Sequence, residues 1–413
     1  MQTLTISRLA ADGDGVANDA DGKAVYVPFT LPGETVKMAD PLEVVVASAD
    51  RIGPTCQHFG VCGGCSLQHW RAGPYGAWKV ALLGDALRRA GYDGVAVAPL
   101  VRTPVAARRR VDLAVHRHGA ALTVGLHGRA SASVIDLAEC PILHPALMGL
   151  LPPLRVLLRS LSALRREGSA VLNLLDTGPD LLLRLDAAAT TPDRTRMAEF
   201  ARVHGIPRIA IAYGKASPEI AVMLDKPRIE FDGGMVTPAA GAFLQASREG
   251  EAAVRAAVVA GLPGKLTSKS RISELYAGNG TLTFSLARHA RIEAFEGDPA
   301  AVAALQEGLR AAGIAGRNSV VMRDLVRQPL TAKELSRFAA VVLDPPFAGA
   351  GPQMETLAAS GVARIVYVSC NPAVLAREAR VLRDAGYRVL AATPVDQFLW
   401  SSRLESVVVF ERK

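Results

Sequence analysis

Apolar and polar positions follow three different rhythms along this chain. Over residues 1 to about 50 the apolar ones come in short runs, Leu4-Thr5-Ile6, Ala24-Val25-Tyr26-Val27-Pro28 and Glu43-Val44-Val45-Val46. Turn-forming stretches part them: Asp12-Gly13-Asp14-Gly15, Asp21-Gly22 and Leu31-Pro32-Gly33-Glu34. Short strands at such even spacing predict a small barrel of the oligonucleotide-binding kind. A helical spacing then runs over residues 78–90 and stops at Gly91. Residues 100 to 235 predict a mixed α+β region, with strands over 111–116 and 122–126 and a helix over 147–166.

From about residue 265 the rhythm becomes regular strand–helix alternation. Strands are predicted over 273–276, 292–296, 319–322, 340–343, 365–369, 387–391 and 406–410, with helices over 282–289, 300–312 and 373–385 among them. That pattern is a doubly wound, Rossmann-like α/β domain. A chain of 413 residues is too long for one core. The expected division is 1–52 for the barrel, 53–240 for the central α+β region and 241–413 for the α/β domain.

Composition adds little until charge is considered. Half the residues are apolar, yet no uncharged apolar run nears the roughly 18 residues a membrane span needs. The opening residues lack a basic region followed by an apolar stretch, so no signal peptide is expected and a cytoplasmic location follows. The net charge is +8 and the pI about 9.4, which favours a polyanionic partner. Arginine is dense at Arg108-Arg109-Arg110 and Arg165-Arg166, and guanidinium forks suit phosphates. Each cluster by itself also fits a solvated face.

Candidate chemistry gathers at the carboxyl ends of the predicted strands. The first runs into Tyr276-Ala277-Gly278-Asn279-Gly280-Thr281, a turn where Gly278 and Gly280 let a ligand approach the backbone. Glu296 ends the next strand, 18 residues beyond Gly278, where a carboxylate can accept hydrogen bonds from ribose hydroxyls. Neither the dinucleotide glycine spacing nor a Walker lysine is present, so a nucleoside without pyrophosphate fits best, S-adenosylmethionine being the common one. Asp324 follows the third strand, placed to meet an adenine amino group, and Asp344 ends the fourth, facing the same crevice. An ordinary loop carboxylate is the alternative for each.

Asp344 opens Asp344-Pro345-Pro346, a stiff loop able to hold a planar base near a methyl donor. Cys370 lies between the fifth strand and a helix whose dipole is expected to favour thiolate. A buried thiol acting only as a small hydrophobe is the bland alternative. Uracil carbon 5 is too weak a nucleophile to take a sulfonium methyl directly; thiolate addition at carbon 6 activates it. A base must then remove the carbon 5 proton, and Glu405, at the entrance to the last strand, is the candidate. The other four cysteines, Cys56, Cys62, Cys65 and Cys140, suit either zinc or a 4Fe–4S cluster.

With these motifs the chain resembles the bacterial RNA uridine-5-methyltransferases, specifically the cluster-containing branch acting on 23S ribosomal RNA. The resemblance rests on GAFLQAS (241–247), LYAGNGT (275–281), EGD (296–298), LDPPFAGAG (343–351), VSCNP (368–372), RLESVVVF (403–410) and ECPILHP (139–145), and spans nearly the whole chain. It implies a class I methyltransferase domain in which Cys370 is the nucleophile and Glu405 the base. Gln245, Tyr276, Thr281, Glu296, Asp324 and Asp344 would line the cofactor site, with Gly278 and Gly280 in its turn, and Phe243 would contact the target base. It also implies a 4Fe–4S cluster on Cys56, Cys62, Cys65 and Cys140, and an N-terminal TRAM domain that grips RNA. A monomer acting on RNA, with no membrane partner, is expected. Phe347 departs from the arginine many relatives carry, and Arg403 from a frequent histidine. The nearest rivals are a transfer-RNA uridine methyltransferase, whose relatives generally lack the cluster and TRAM domain, and a cytosine-5 methyltransferase, which carries a second cysteine where Phe347 stands. An iron–sulfur RNA-binding protein without catalysis is the third.

Overall fold

Strands made almost wholly of buried residues, such as Ala340–Leu343 and Arg364–Ser369, can exist only inside a sheet covered on both faces. In the computed structural model, which describes residues 2–214 and 216–412, they form the centre of an eight-stranded sheet. Its order is Ser319–Met322, Arg291–Glu296, Arg271–Leu275, Ala340–Leu343, Arg364–Ser369, Glu405–Glu411, Arg388–Asp396 and Val101–Arg102. The first five run parallel, and Glu405–Glu411 is antiparallel to both its neighbours. Strand order reverses between Arg271–Leu275 and Ala340–Leu343, which opens a crevice at their carboxyl ends.

Two apolar layers cover the sheet. One joins Leu83, Leu87, Tyr367, Leu375 and Phe410, the other Val254, Phe284, Leu305, Val366 and Val409. Residues 72–102, assigned to the central region from sequence, belong to this layer system instead. The helix Ala72–Arg89 buries Tyr75, Lys79, Leu82, Leu83, Ala86 and Leu87 on one stripe, which lies in the same core as Leu375 and Leu382 of Pro372–Asp384. Val101–Arg102 then joins the sheet edge beside Val395 and Asp396.

A second, seven-stranded sheet spans Arg110–His118 to Glu219–Met223, in the order Val134–Asp136, Ala121–His127, Arg110–His118, Glu167–Leu175, Gly178–Leu185, Arg208–Tyr213, Glu219–Met223. The single helix expected over 147–166 is corrected to two short ones, Pro145–Met148 and Leu151–Ser160. Pro152 and Pro153 lack the N–H groups that would continue the first helix, so they sit in the first turn of the second. The N-terminal residues form two three-stranded sheets around Leu4, Ile6, Ala17, Val27 and Val36. Among the described residues no helix is long and apolar enough to cross a membrane.

One set of contacts ties the ends of the chain together. The N–H groups of Ser66 and Leu67 donate to the Trp400 carbonyl at 2.8 and 2.9 Å, and Trp400 N–H donates to the Tyr75 hydroxyl at 2.9 Å. That hydroxyl donates to Asp396 at 2.6 Å, and the fully buried Lys79 pairs with Asp396 at 2.9 Å and donates to the Arg403 carbonyl. The 396–405 loop is thereby held although Trp400 has a positive φ of 56°.

Candidate active site

The glycine turn is built for close approach. Gly280 has φ +95°, and a side chain there would meet Leu305 at 2.5 Å; Gly278 has φ +54° and faces open space. Glu296 fixes the turn by accepting from Gly278 N–H at 2.7 Å, while its other oxygen accepts from Gly297 and Asp298. Tyr276 enters the turn at a positive φ of 63°, its hydroxyl donating to the Ala350 carbonyl at 3.3 Å. Thr281 is half-buried at the end of the same turn. Asp324 lies beside Gly297 across the crevice mouth but is exposed, its Oδ1 accepting from Val326 and Arg327 N–H. It joins this group by proximity and is held by its own turn.

The remaining acids join through a buried amide relay. Gln245 donates to Asp344 at 3.2 Å, and Gln397 donates to Gln245 Oε1 at 2.7 Å and to Glu405 Oε2 at 2.8 Å. Glu405 is 3% exposed, and its Oε1 has no partner. Burial, then the negative charge of Asp344, pushes the Glu405 carboxyl well above the ordinary range. Asp344 keeps some solvent contact along the crevice wall, yet desolvation raises its carboxyl as well.

Cys370 is half-buried at the carboxyl edge of Arg364–Ser369, at the same end of the sheet as Glu405. The expectation that the helix dipole favours its thiolate is corrected. Its thiol is pushed up to about 12, by burial first and then by Glu405 and Asp344, with Arg403 opposing. Pro372 has no N–H to offer, and the Asn371 side chain takes the N–H groups of Ala373 and Val374. The helix end is already capped, and two carboxylates outweigh it.

Phe243 is 68% exposed at the crevice mouth, under the Arg110 guanidinium at 5.8 Å, with its carbonyl accepting from Asn279 at 3.2 Å. The Arg108-Arg109-Arg110 cluster is therefore no simple phosphate patch. Arg109 is 2% exposed, pairs with Glu251 at 2.5 Å and donates to the Gln245 carbonyl at 3.1 Å. Breaking such a buried pair costs about 3–5 kcal/mol. Its work is to hold the Gln245 segment.

Cys56, Cys62, Cys65 and Cys140 are all free thiols lining one largely apolar cavity. Burial pushes Cys65 up to about 12 and raises the other three. Among the described residues no three His, Cys, Asp or Glu side chains are grouped to hold a single metal ion.

Sequence reasoning missed Gln397, because nothing in the sequence marks it beyond its place just after the strand ending Asp396. It also missed Glu274 and Asn279. Glu274 is fully buried, with one oxygen unpartnered and its carboxyl raised to about 8 by desolvation; Asn279 Oδ1 is likewise orphaned. Orphaned polar atoms beside an open glycine turn fit a polar nucleoside ligand carrying an amino group and hydroxyls.

Residues 262–413 match the family model described as tRNA (Uracil-5-)-methyltransferase. Across 99% of both chains the sequence is 39% identical to an uncharacterized RNA methyltransferase of Rhizobium meliloti. It is 33% identical to a protein of Halomonas elongata named 23S rRNA (uracil(1939)-C(5))-methyltransferase, covering 99% of this chain and 89% of that one. The tRNA (uracil-54, C5)-methyltransferase of Pyrococcus abyssi, solved with S-adenosyl-L-homocysteine, has the same fold. It superposes with a TM-score of 0.74 over 99% of this chain and 100% of that one, at 20% identity.

Proposed function

This chain belongs to the RNA uracil-5-methyltransferase family, whose members use S-adenosylmethionine, and from that premise we propose that it methylates carbon 5 of one uridine in 23S ribosomal RNA. The observation that carries the mechanistic part is the amide relay. It joins a buried carboxylate with a free oxygen, Glu405, to the crevice acid Asp344, at the sheet edge that bears Cys370. The Halomonas elongata relative supports the 23S target.

In this reading S-adenosylmethionine supplies the methyl group as an electrophile on a sulfonium sulfur. Cys370, its proton lost to solvent, adds through sulfur to carbon 6 of the uracil, and the electron pair of the C5–C6 bond moves onto the carbonyl system as an enolate. Carbon 5 then takes the methyl group as the donor's methyl C–S bond breaks, its electron pair returning to sulfur so that a neutral thioether would leave. Glu405 Oε1 accepts the carbon 5 proton, the C5–C6 double bond re-forms, and the thiolate leaves. Gln397 holds Glu405 Oε2 and leaves Oε1 free, and Gln245 ties that arrangement to Asp344. Gln245, Tyr276, Thr281, Glu296, Asp324, Asp344 and the backbone at Gly278 and Gly280 hold the cofactor, and Phe243 packs on the target base. The target must leave its stack to reach the thiol, which implies base flipping. The N-terminal barrel acts as a TRAM-like RNA grip in the cytoplasm.

Cys56, Cys62, Cys65 and Cys140 hold a 4Fe–4S cluster in this reading. Four thiols on one shielded apolar cavity would supply the soft ligation that such a cluster needs. Protein purified without oxygen should be brown, with about four irons per chain, and Cys65→Ser should lose the colour. Colourless protein containing zinc by elemental analysis overturns the assignment.

The target is tested by mapping 5-methyluridine in 23S RNA by mass spectrometry, with and without the gene. One uridine should lose its methyl group completely in the deletion strain. An unchanged 23S map with a lost transfer-RNA methyl would move the substrate to transfer RNA.

A further inference from the structure

Phe347 lies in the loop after Asp344-Pro345-Pro346, and half of its side chain is open to solvent. The loop is not loose. Asn371, next to Cys370, donates to the Phe347 carbonyl at 3.2 Å, Arg377 donates to the Ala348 carbonyl, and Glu378 accepts from Ala350 and Gly351 N–H. The Arg403 guanidinium lies 4.7 Å from the centre of the Phe347 ring, and among the described residues Arg403 forms no ion pair. Its backbone is pinned by Lys79, and it stands two residues before Glu405. A rigid aromatic face and an unneutralised planar cation are thus fixed within a few residues of both reacting groups.

Arg403 also lines a cleft of about 530 Å³, shared with Arg108, Arg129, Ser401 and Ser402, that leads away from the crevice towards the cysteine loop. Phe243 and Arg110 form a separate aromatic–guanidinium pair at the crevice mouth. Two such pairs exceed what one flipped ring needs.

Resting on the RNA reading above, we propose that Phe347 and Arg403 form a stacking site for a second, unpaired nucleobase of the substrate, the neighbour of the methylated uridine. The ring supplies a flat apolar face and the guanidinium a second, charged one, and a base accepts both because every base has a π-face. The backbone phosphates of that segment then run along Arg108 and Arg403, since Arg129 is already paired with Asp14 at 2.6 Å. The site is tolerant of base identity, since it offers stacking and no edge recognition from Phe347.

The experiment uses the full-length protein and an RNA fragment that it methylates, with single abasic nucleotides scanned on both sides of the target uridine. For wild type, one flanking abasic position should raise the RNA Kd about tenfold and leave kcat nearly unchanged. Phe347→Ala should raise the Kd of intact RNA by a similar factor and lose its sensitivity at that position. Phe347→Tyr should restore it, and Arg403→Ala should show part of the effect. A 2-aminopurine placed there should be quenched on binding wild type and not Phe347→Ala. Should the abasic penalty be as large in both Phe347→Ala and Arg403→Ala as in wild type, or should no flanking position matter, the stacking site is refuted while methylation stands. Absence of wild-type methylation on any uridine RNA removes the parent reading, and this one with it.

Discussion

Replacing Cys370 with alanine should abolish RNA methylation, by about 10⁴-fold or more, while S-adenosylmethionine binding stays within a few-fold of wild type. The separation follows from the geometry. Cys370 sits at the strand edge with Glu405, while the glycine turn is fixed by Glu296 and Arg271–Leu275, neither of which touches the thiol. Isothermal titration with the cofactor and a tritium-release assay on RNA measure the two properties independently. Measurable turnover by Cys370→Ala would remove the nucleophile assignment. Loss of cofactor binding instead would recast Cys370 as part of the cofactor pocket.

Glu405→Gln should let addition and methyl transfer proceed but slow proton removal from carbon 5 by about 10²–10⁴-fold, so that a covalent protein–RNA adduct accumulates. The amide can keep the hydrogen bond from Gln397, because its carbonyl oxygen accepts where Oε2 does now. The adduct should appear as a slower band on a denaturing gel with wild-type protein and RNA as references; a gel without it argues against the base. The pH dependence has a definite sign. Burial holds Cys370 near 12 and Glu405 near 8, both above their ordinary values, and both act deprotonated. Activity therefore rises with pH from about 7 to 9, and a flat or falling kcat/KM over that range contradicts the pair.

What could be seen in the sequence was what repeats or punctuates. The strand–helix alternation after residue 265 and the glycine turn are local signals, and Arg271–Leu275 and Arg291–Glu296 lie within a residue or two of the expected strands. Local spacing could not say where the helix Ala72–Arg89 would pack, because its partner Pro372–Asp384 lies three hundred residues further on. The strand expected to stop at 391 runs on to Asp396, since only its last two residues meet Val101–Arg102 and the open edge tolerates Pro394. That extension delivers Gln397 to Glu405, so the residue joining the two halves of the site was invisible for the same reason.

Charge was also misleading where it was read from composition. Arg109 counts towards the basic excess but spends its charge on Glu251 inside the protein, while Arg403, alone in its stretch, stays unpaired among the described residues. Likewise the helix start after Cys370 is a source of positive potential only if its N–H groups are free, and Asn371 claims them.

The grip on the 396–405 loop carries a further consequence for how the protein is made. Ser66, Leu67, Tyr75 and Lys79 precede the segment they hold by more than three hundred residues. On the ribosome the socket therefore emerges early and waits for the piece that fits it, because its helix shares a core with Pro372–Asp384. A fragment restricted to 262–413 keeps Cys370 and Glu405 yet lacks every one of those anchors. The domain that bears the reacting groups is, in this respect, only half of the catalyst.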